Sequence, residues 1–262
     1  MIKIKIRKDI GKKKYLLYAV ISFIVVFFAW LLVSESGLLK EIFLPKPQSV
    51  IRYYIESLKD GSLLANTKIS VYRICLGFIY AVILGVPVGI LVGTFQRFEA
   101  VLRPLCEFIR YMPIPAFVPL IMVWVGIEES AKITVIFIGT FFQLVLMVAD
   151  DALSVPEDLI NAGYTLGSST ANTVFKILLP AMMPRLLETL RMMIGWAWTY
   201  LVSAELVAAN SGLGYTILKS QRFLKTDAIF ANILLIGLLG LVTDRCFAWL
   251  NKKLFPWAEG GR

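Results

Sequence analysis

The 262 residues predict an all-α membrane protein with six transmembrane helices. Three observations lead there. Hydrophobic residues make up 58% of the chain and mean hydropathy is +0.75, whereas an average soluble domain is roughly 45–50% apolar. The apolar residues gather in runs of the length that crosses hydrocarbon, about 20 residues. Basic residues crowd both ends, as cytoplasmic flanks require.

The elements follow in order. Lys3, Lys5, Arg7, Lys8, Lys12, Lys13 and Lys14, against a single Asp9, make residues 1–14 a cytoplasmic segment. Residues 15–33 form the first span. Its apolar core exceeds the roughly 7–15 residues of a signal peptide, and Ser34-Glu35-Ser36-Gly37 offers no clear cleavage site, so it is a retained anchor. Residues 34–66 are extracytoplasmic, with Val50, Ile51, Tyr54, Ile55 and Leu58 at the spacing of an amphipathic helix on the outer surface.

The core, 67–250, holds the remaining spans, at about Ser70–Gly93, Leu105–Gly126, Ala131–Ala149, Met182–Ala208 and Ala228–Leu250. In the second span Gly77, Ala81, Gly85, Gly89 and Gly93 form a stripe for close helix packing in preference to a pore lining. Pro87 predicts a kink or an opened hydrogen-bond ladder there. Pro113, Pro115 and Pro119 make the third span a broken helix, and both a cavity-lining backbone and a simple kink fit them.

Charges inside spans need partners. Glu188 lies three residues from both Arg185 and Arg191, which suits local pairing. Glu205 falls about 36 Å along the helix from Ala181 at 1.5 Å per residue, at the outer membrane edge. Arg73, near the outer start of the second span, is its counter-ion, in a pair read as structural. Ser211-Gly212-Leu213-Gly214-Tyr215 permits either a plain turn or a re-entry into the bundle. Arg245, Lys252, Lys253 and Arg262 mark 251–262 as cytoplasmic, and two inside termini require an even number of spans.

Residues 154–180 are a polar interruption between spans. Ser154-Val155-Pro156-Glu157 reads as a capping box opening a short helix. Gly167-Ser168-Ser169 then stops that helix and caps a second one running to Leu179, which Pro180 ends. Two short helices with a glycine corner make a compact knob that a soluble partner can grip.

Asn161-Ala162-Gly163 with Gly167, Ser168 and the later Ile177-Leu178-Leu179-Pro180 resembles the cytoplasmic "EAA" loop of importer-type ABC transporter permeases. Ala162, Gly167, Ile177, Leu179 and Pro180 match that pattern, while Asn161 stands for its leading Glu and Gly163 for its second Ala. Phe43-Leu44-Pro45-Lys46-Pro47, Arg73 with Gly77-Phe78, Arg110-Tyr111-Met112-Pro113-Ile114-Pro115, Ala204-Glu205-Leu206 and Leu254-Phe255-Pro256-Trp257 are similar to the nitrate/sulfonate/taurine subgroup. The resemblance implies a type I ABC importer permease fold, multi-pass in a bacterial cytoplasmic membrane. It also implies a second copy of the chain, two ABC ATPase subunits gripping 154–180, and an extracytoplasmic substrate-binding protein. ATP and Mg would sit on the ATPase partner, with no cofactor on this chain. The implied cargo is a small anion, a sulfonate, taurine, nitrate or bicarbonate, with a pyrimidine-type vitamin precursor as the alternative.

Other classes fit poorly. There is no histidine, and Cys75, Cys106 and Cys246 lie in apolar stretches as packing residues, so neither a metal site nor a disulfide framework is expected. Gly11-Lys12 lacks the surroundings of a Walker A motif, which leaves ATP hydrolysis to another polypeptide. Paired mid-membrane carboxylates and a visible inverted repeat are both missing, which weighs against an ion-coupled secondary transporter. The basic N-terminus suits anionic lipid and orientation signalling, so no nucleic acid is implied.

Overall fold

The structure is a computed structural model that describes residues 11–257, and every regular element among them is helical. Lys3, Lys5, Arg7, Lys8, Asp9 and Arg262, on which much of the orientation argument rests, lie outside the described residues. Four helices are long and apolar enough to cross a membrane: α1 (Lys12–Glu35), α3 (Ser62–Thr94), α6 (Glu129–Leu153) and α11 (Thr226–Leu254). A fifth candidate is the pair α4 (Gln96–Arg110) and α5 (Ile114–Val125), long and apolar enough only when taken together and bent by 103°. The sixth expected span corresponds to α9 (Leu179–Ala208), whose 30 residues carry Arg185, Glu188, Arg191 and Glu205. Its place in the bundle comes from packing, since Met193, Ala197 and Leu201 are fully buried.

The α3–α6 pair is the spine. A β-carbon on Gly93 would stand 2.4 Å from the Ala149 carbonyl oxygen, one on Gly89 2.6 Å from Val148 and one on Gly77 2.8 Å from Ile136. The small-residue stripe is therefore a packed helix contact. Ile74, Phe78, Leu144, Met182 and Leu201 continue this core onto α9. Helix α3 runs through Pro87 without interruption.

α3 begins earlier than the apolar run suggested, at Ser62. Gly61, at φ +75°, turns the chain directly out of α2 (Pro47–Lys59), and Asp60 Oδ1 accepts the Ser62 N–H at 2.8 Å. These hydrogen bonds with Ser62 hold the Asp60 carboxyl below the usual carboxylate range. The amphipathic helix α2 is present, but its apolar face is divided. Val50 is buried and Tyr54 donates its hydroxyl to the Ala231 carbonyl at 2.5 Å, while Ile51, Ile55 and Leu58 are exposed.

The third expected span, Leu105–Gly126, needs correction. Leu105 to Arg110 belong to α4, whose Arg103 engages Glu99, Glu107 and, at 2.5 Å, Asp150. Such an ionic face does not suit hydrocarbon. The apolar helix after the break, α5, has 12 residues, about 18 Å at 1.5 Å per residue against a hydrocarbon core of about 30 Å. Pro113 caps α5, Pro115 lies in its first turn and Pro119 inside it. The assignment of all three cysteines to packing is also corrected: Cys106 is buried, but Cys75 and Cys246 are exposed.

Helix α1 stands apart from this core, with Phe23 at 74% and Leu32 at 68% exposure. It is tied at its far end, where Trp30 Nε1 donates to the Pro45 carbonyl at 3.0 Å and the indole stacks on Phe230. Exposed apolar side chains all along α1 are what a lipid-facing helix presents.

Candidate functional site

The polar interruption folds into α7 (Glu157–Thr165), a glycine corner, α8 (Thr170–Thr173) and a π-helical stretch, Val174–Leu178, that runs directly into α9. Helix α7 ends in a Schellman arrangement: the Gly167 N–H donates to the Tyr164 carbonyl at 2.9 Å and the Ser168 N–H to the Gly163 carbonyl at 3.0 Å. Gly167 sits at φ +79°, the left-handed conformation that this motif needs. Ser169 caps α8 by accepting the Asn172 N–H at 3.4 Å, and the Thr173 hydroxyl donates to Ser168 Oγ at 3.1 Å.

Two local expectations are corrected. The capping box does not form: Ser154 closes α6, its hydroxyl donates to the Asp151 carbonyl at 2.6 Å, and Pro156 precedes α7 without a side-chain cap. Pro180 does not end its helix either. It lies in the first turn of α9, after the π-helical stretch. A proline inside a helix lacks an N–H and crowds the carbonyl four residues back, and a wider turn at 174–178 relieves both without a stop.

Gly163 is buried against the second arm of the knob, where a β-carbon would stand 2.4 Å from Ile177 Cδ1. Asn161 and Ala162 are exposed on the other side, with Tyr164 at 47% and Leu166 at 88% exposure. The knob is fixed to the bundle from beneath. Val155 and Leu178 are buried with Met182 and Leu186, and Leu179 packs against the same cluster. Asp151 accepts from the Thr189 hydroxyl at 2.6 Å and pairs with Arg185 at 3.0 Å. Arg185 is thus taken by Asp151, while Glu188 pairs with Arg191 at 3.2 Å and accepts from Asn251 at 2.6 Å.

At the opposite end of the bundle the structure brings Arg73 and Glu205 together, Nη1 to Oε1, at 2.7 Å. Sequence reasoning missed the rest of this cluster. Arg73 also holds Glu129 through Nε at 2.6 Å and Nη2 at 2.8 Å, and donates to the Ser211 carbonyl at 2.7 Å. Glu205 accepts from the Ser70 hydroxyl and the Gly214 N–H, each at 2.7 Å. The available signal was Glu129 three residues before Lys132, which pair at 3.2 Å. Around the other expected site, Pro113, Pro115 and Pro119 are exposed, whereas Val118 and Ile121 of the same helix are buried against Ala131, Val135 and Ala204.

A helical membrane bundle with a rigid, exposed knob between two of its long helices defines the class of ABC importer permeases with the type I fold. The bundle is similar to a solved chain of the inward-facing MetNI methionine ABC transporter, at TM-score 0.67 and 19% identity over 74% of this chain and 97% of that one. Residues 85–256 match the family described as binding-protein-dependent transport system inner membrane component, and the chain belongs to that family. It is a permease component and not an enzyme. Among curated relatives, the taurine transport system permease protein TauC of Escherichia coli is 32% identical over 89% of this chain and 86% of its own length. The bicarbonate transport system permease protein CmpB of a Synechocystis species is 30% identical over 92% and 88%.

Proposed function

We propose that the chain forms the translocation pathway of an ATP-driven importer for a small anion of the sulfonate, taurine, nitrate or bicarbonate kind. A separate ATPase subunit supplies ATP hydrolysis and holds the Mg and nucleotide. The observation that carries this reading is the knob at 154–180. Asn161, Ala162 and Leu166 are exposed on a corner whose other side is locked to α9 through Gly163, Ile177 and Leu178. A force on α7 passes into α9 without an intervening flexible loop. The proposed topology has six crossings, α1, α3, a return to the outer face that α5 makes after α4 lies along the inner face, α6, α9 and α11, with both termini and the knob cytoplasmic. Two copies of the chain would enclose the path, and the exposed prolines Pro113, Pro115 and Pro119 are candidates for its wall.

The relatives' names support the cargo class, since one is a taurine and the other a bicarbonate permease. An extracytoplasmic binding protein would deliver the anion. The test is uptake into proteoliposomes holding the permease, its ATPase and its binding protein, with taurine, an alkanesulfonate, nitrate, bicarbonate and a pyrimidine offered in turn. ATP-dependent uptake of one of the anions is expected. Uptake driven by an ion gradient without ATP, or of the pyrimidine alone, would overturn the proposal.

A further inference from the structure

A cavity of about 460 Å³ opens on the outer side of the bundle between α2, the start of α3, α10 (Leu213–Arg222) and the start of α11. Its walls are rich in hydrogen-bond donors. Ser57 and Ser220 line it although their residues are only 4% and 7% exposed, and neither hydroxyl has a hydrogen bond among the described residues. Both hydroxyls are reachable from the cavity, because neither is among the fully enclosed atoms without a partner. The Tyr53 hydroxyl accepts from Asn232 at 3.3 Å and keeps its own proton free to donate. Asn66 has its oxygen taken by the Gly212 N–H at 2.8 Å, which leaves its amide NH₂ as the free group.

Two cations complete the rim. Lys219 and Lys225 are exposed, line the cavity and have no ion-pair partner among the described residues. The single carboxylate in the lining, Asp60, accepts the Ser62 N–H at 2.8 Å through one oxygen and sets one negative charge against the two lysines. An excess of donors and a net charge of two lysines against one carboxylate fit an oxyanion, because hydroxyl and ammonium donors turn toward a negative group of several lone pairs. The volume lies in the range of small-ligand sites.

We propose that this cavity is an outer-face binding site for a small organic oxyanion, a sulfonate or carboxylate, with Lys219 and Lys225 supplying charge and Ser57 and Ser220 the buried donors. It deepens the import reading by placing an anion site on the permease itself, ahead of the membrane path. Because the lysines stay in water, the site is weak, suited to holding an anion briefly as it leaves a delivering protein.

The test uses the full chain in lipid nanodiscs, without ATPase or binding protein, titrated calorimetrically with ethanesulfonate. Saturable millimolar binding is expected. Lys219→Gln with Lys225→Gln should weaken it about tenfold or more, and Ser57→Ala with Ser220→Ala by several-fold, as for lost charge-assisted and neutral hydrogen bonds. Should the serine pair fail to insert, Tyr53→Phe removes one cavity hydroxyl at an already half-open position and is expected to weaken binding too. No saturable binding by the unaltered chain overturns the site. So does a loss with the lysine pair that neither hydroxyl variant reproduces, since diffuse surface charge then accounts for the effect. ATP-driven anion uptake alongside absent nanodisc binding would reject this cavity while leaving the importer assignment intact.

Discussion

Arg73 and Glu205 meet at 2.7 Å with no part of either side chain exposed. The contact is one edge of a balanced set in which Arg73 and Lys132 face Glu129 and Glu205. All five guanidinium N–H groups are used, because Ser211 takes the two that the carboxylates leave. Buried charges persist only with this degree of pairing, and here the pairing ties the ends of α3, α6 and α9 farthest from the knob to the segment leading into α10.

Removing both members of the pair should therefore cost less than the two single removals added together. Glu205→Ala leaves a buried guanidinium short of an acceptor, a loss of about 3–5 kcal/mol by analogy with other buried pairs. Arg73→Met combined with Glu205→Met should lose less than the two single changes added together. Thermal denaturation of the detergent-purified variants measures this coupling. Strict additivity would show that the pair does not act as a unit.

Gly212 offers a second handle on the same cluster. It has φ +115°, and a β-carbon there would stand 2.4 Å from the Glu205 carboxyl group. Gly212→Ala should be destabilising by about 2 kcal/mol, combining backbone strain with displacement of a buried carboxylate. Gly237→Ala, where a β-carbon meets nothing within 4 Å, should be neutral or slightly stabilising. Equal melting temperatures for the two variants would count against close packing at Gly212.

What the sequence disclosed follows from which forces are local. The straight spans α1, α3, α6 and α11 are readable because their apolar runs are long, and the Gly167 corner because one residue type fits the left-handed turn. Helix ends set by distant packing were less readable. Ser154 looked like a cap for α7 but closes α6, since its hydroxyl finds a nearer carbonyl at Asp151. Pro180 looked like a stop, but the buried Leu178 and Met182 on either side hold the chain helical through it. Glu129 could not be assigned to Arg73 from the chain alone, because 56 residues separate them and no periodicity links the two helices.

Gly167→Val should impair coupling while leaving insertion intact. The left-handed conformation costs an ordinary side chain about 1–2 kcal/mol, and more when it is β-branched, so the α7 corner would unwind or shift. No atom lies within 4 Å of the added β-carbon, which makes backbone conformation the sole source of the effect. Membrane yield should match that of the unaltered chain, whereas transport and co-purification with the ATPase should fall. Full transport by this variant would show that the corner is not the coupling element.

The proposed topology puts Asp60 and Ser169 on opposite sides of the membrane. Asp60 lies just before the 33-residue α3, which extends about 50 Å at 1.5 Å per residue, more than the hydrocarbon thickness. Ser169 lies in the knob, beyond the far end of α6, which runs parallel to α3 along the glycine stripe, with Gly77 beside Ile136 and Gly93 beside Ala149. The native cysteines can be removed first. Cys75→Ala and Cys246→Ala are at exposed positions and should cost little, while Cys106→Ala opens a small gap in a buried site and should cost about 1 kcal/mol. In that background Asp60→Cys should react with an impermeant maleimide added outside intact cells, and Ser169→Cys only after the membrane is opened. Reaction of both from the same side would reverse the assignment of the knob to the cytoplasm, and with it the route by which an ATPase reaches Asn161 and Ala162.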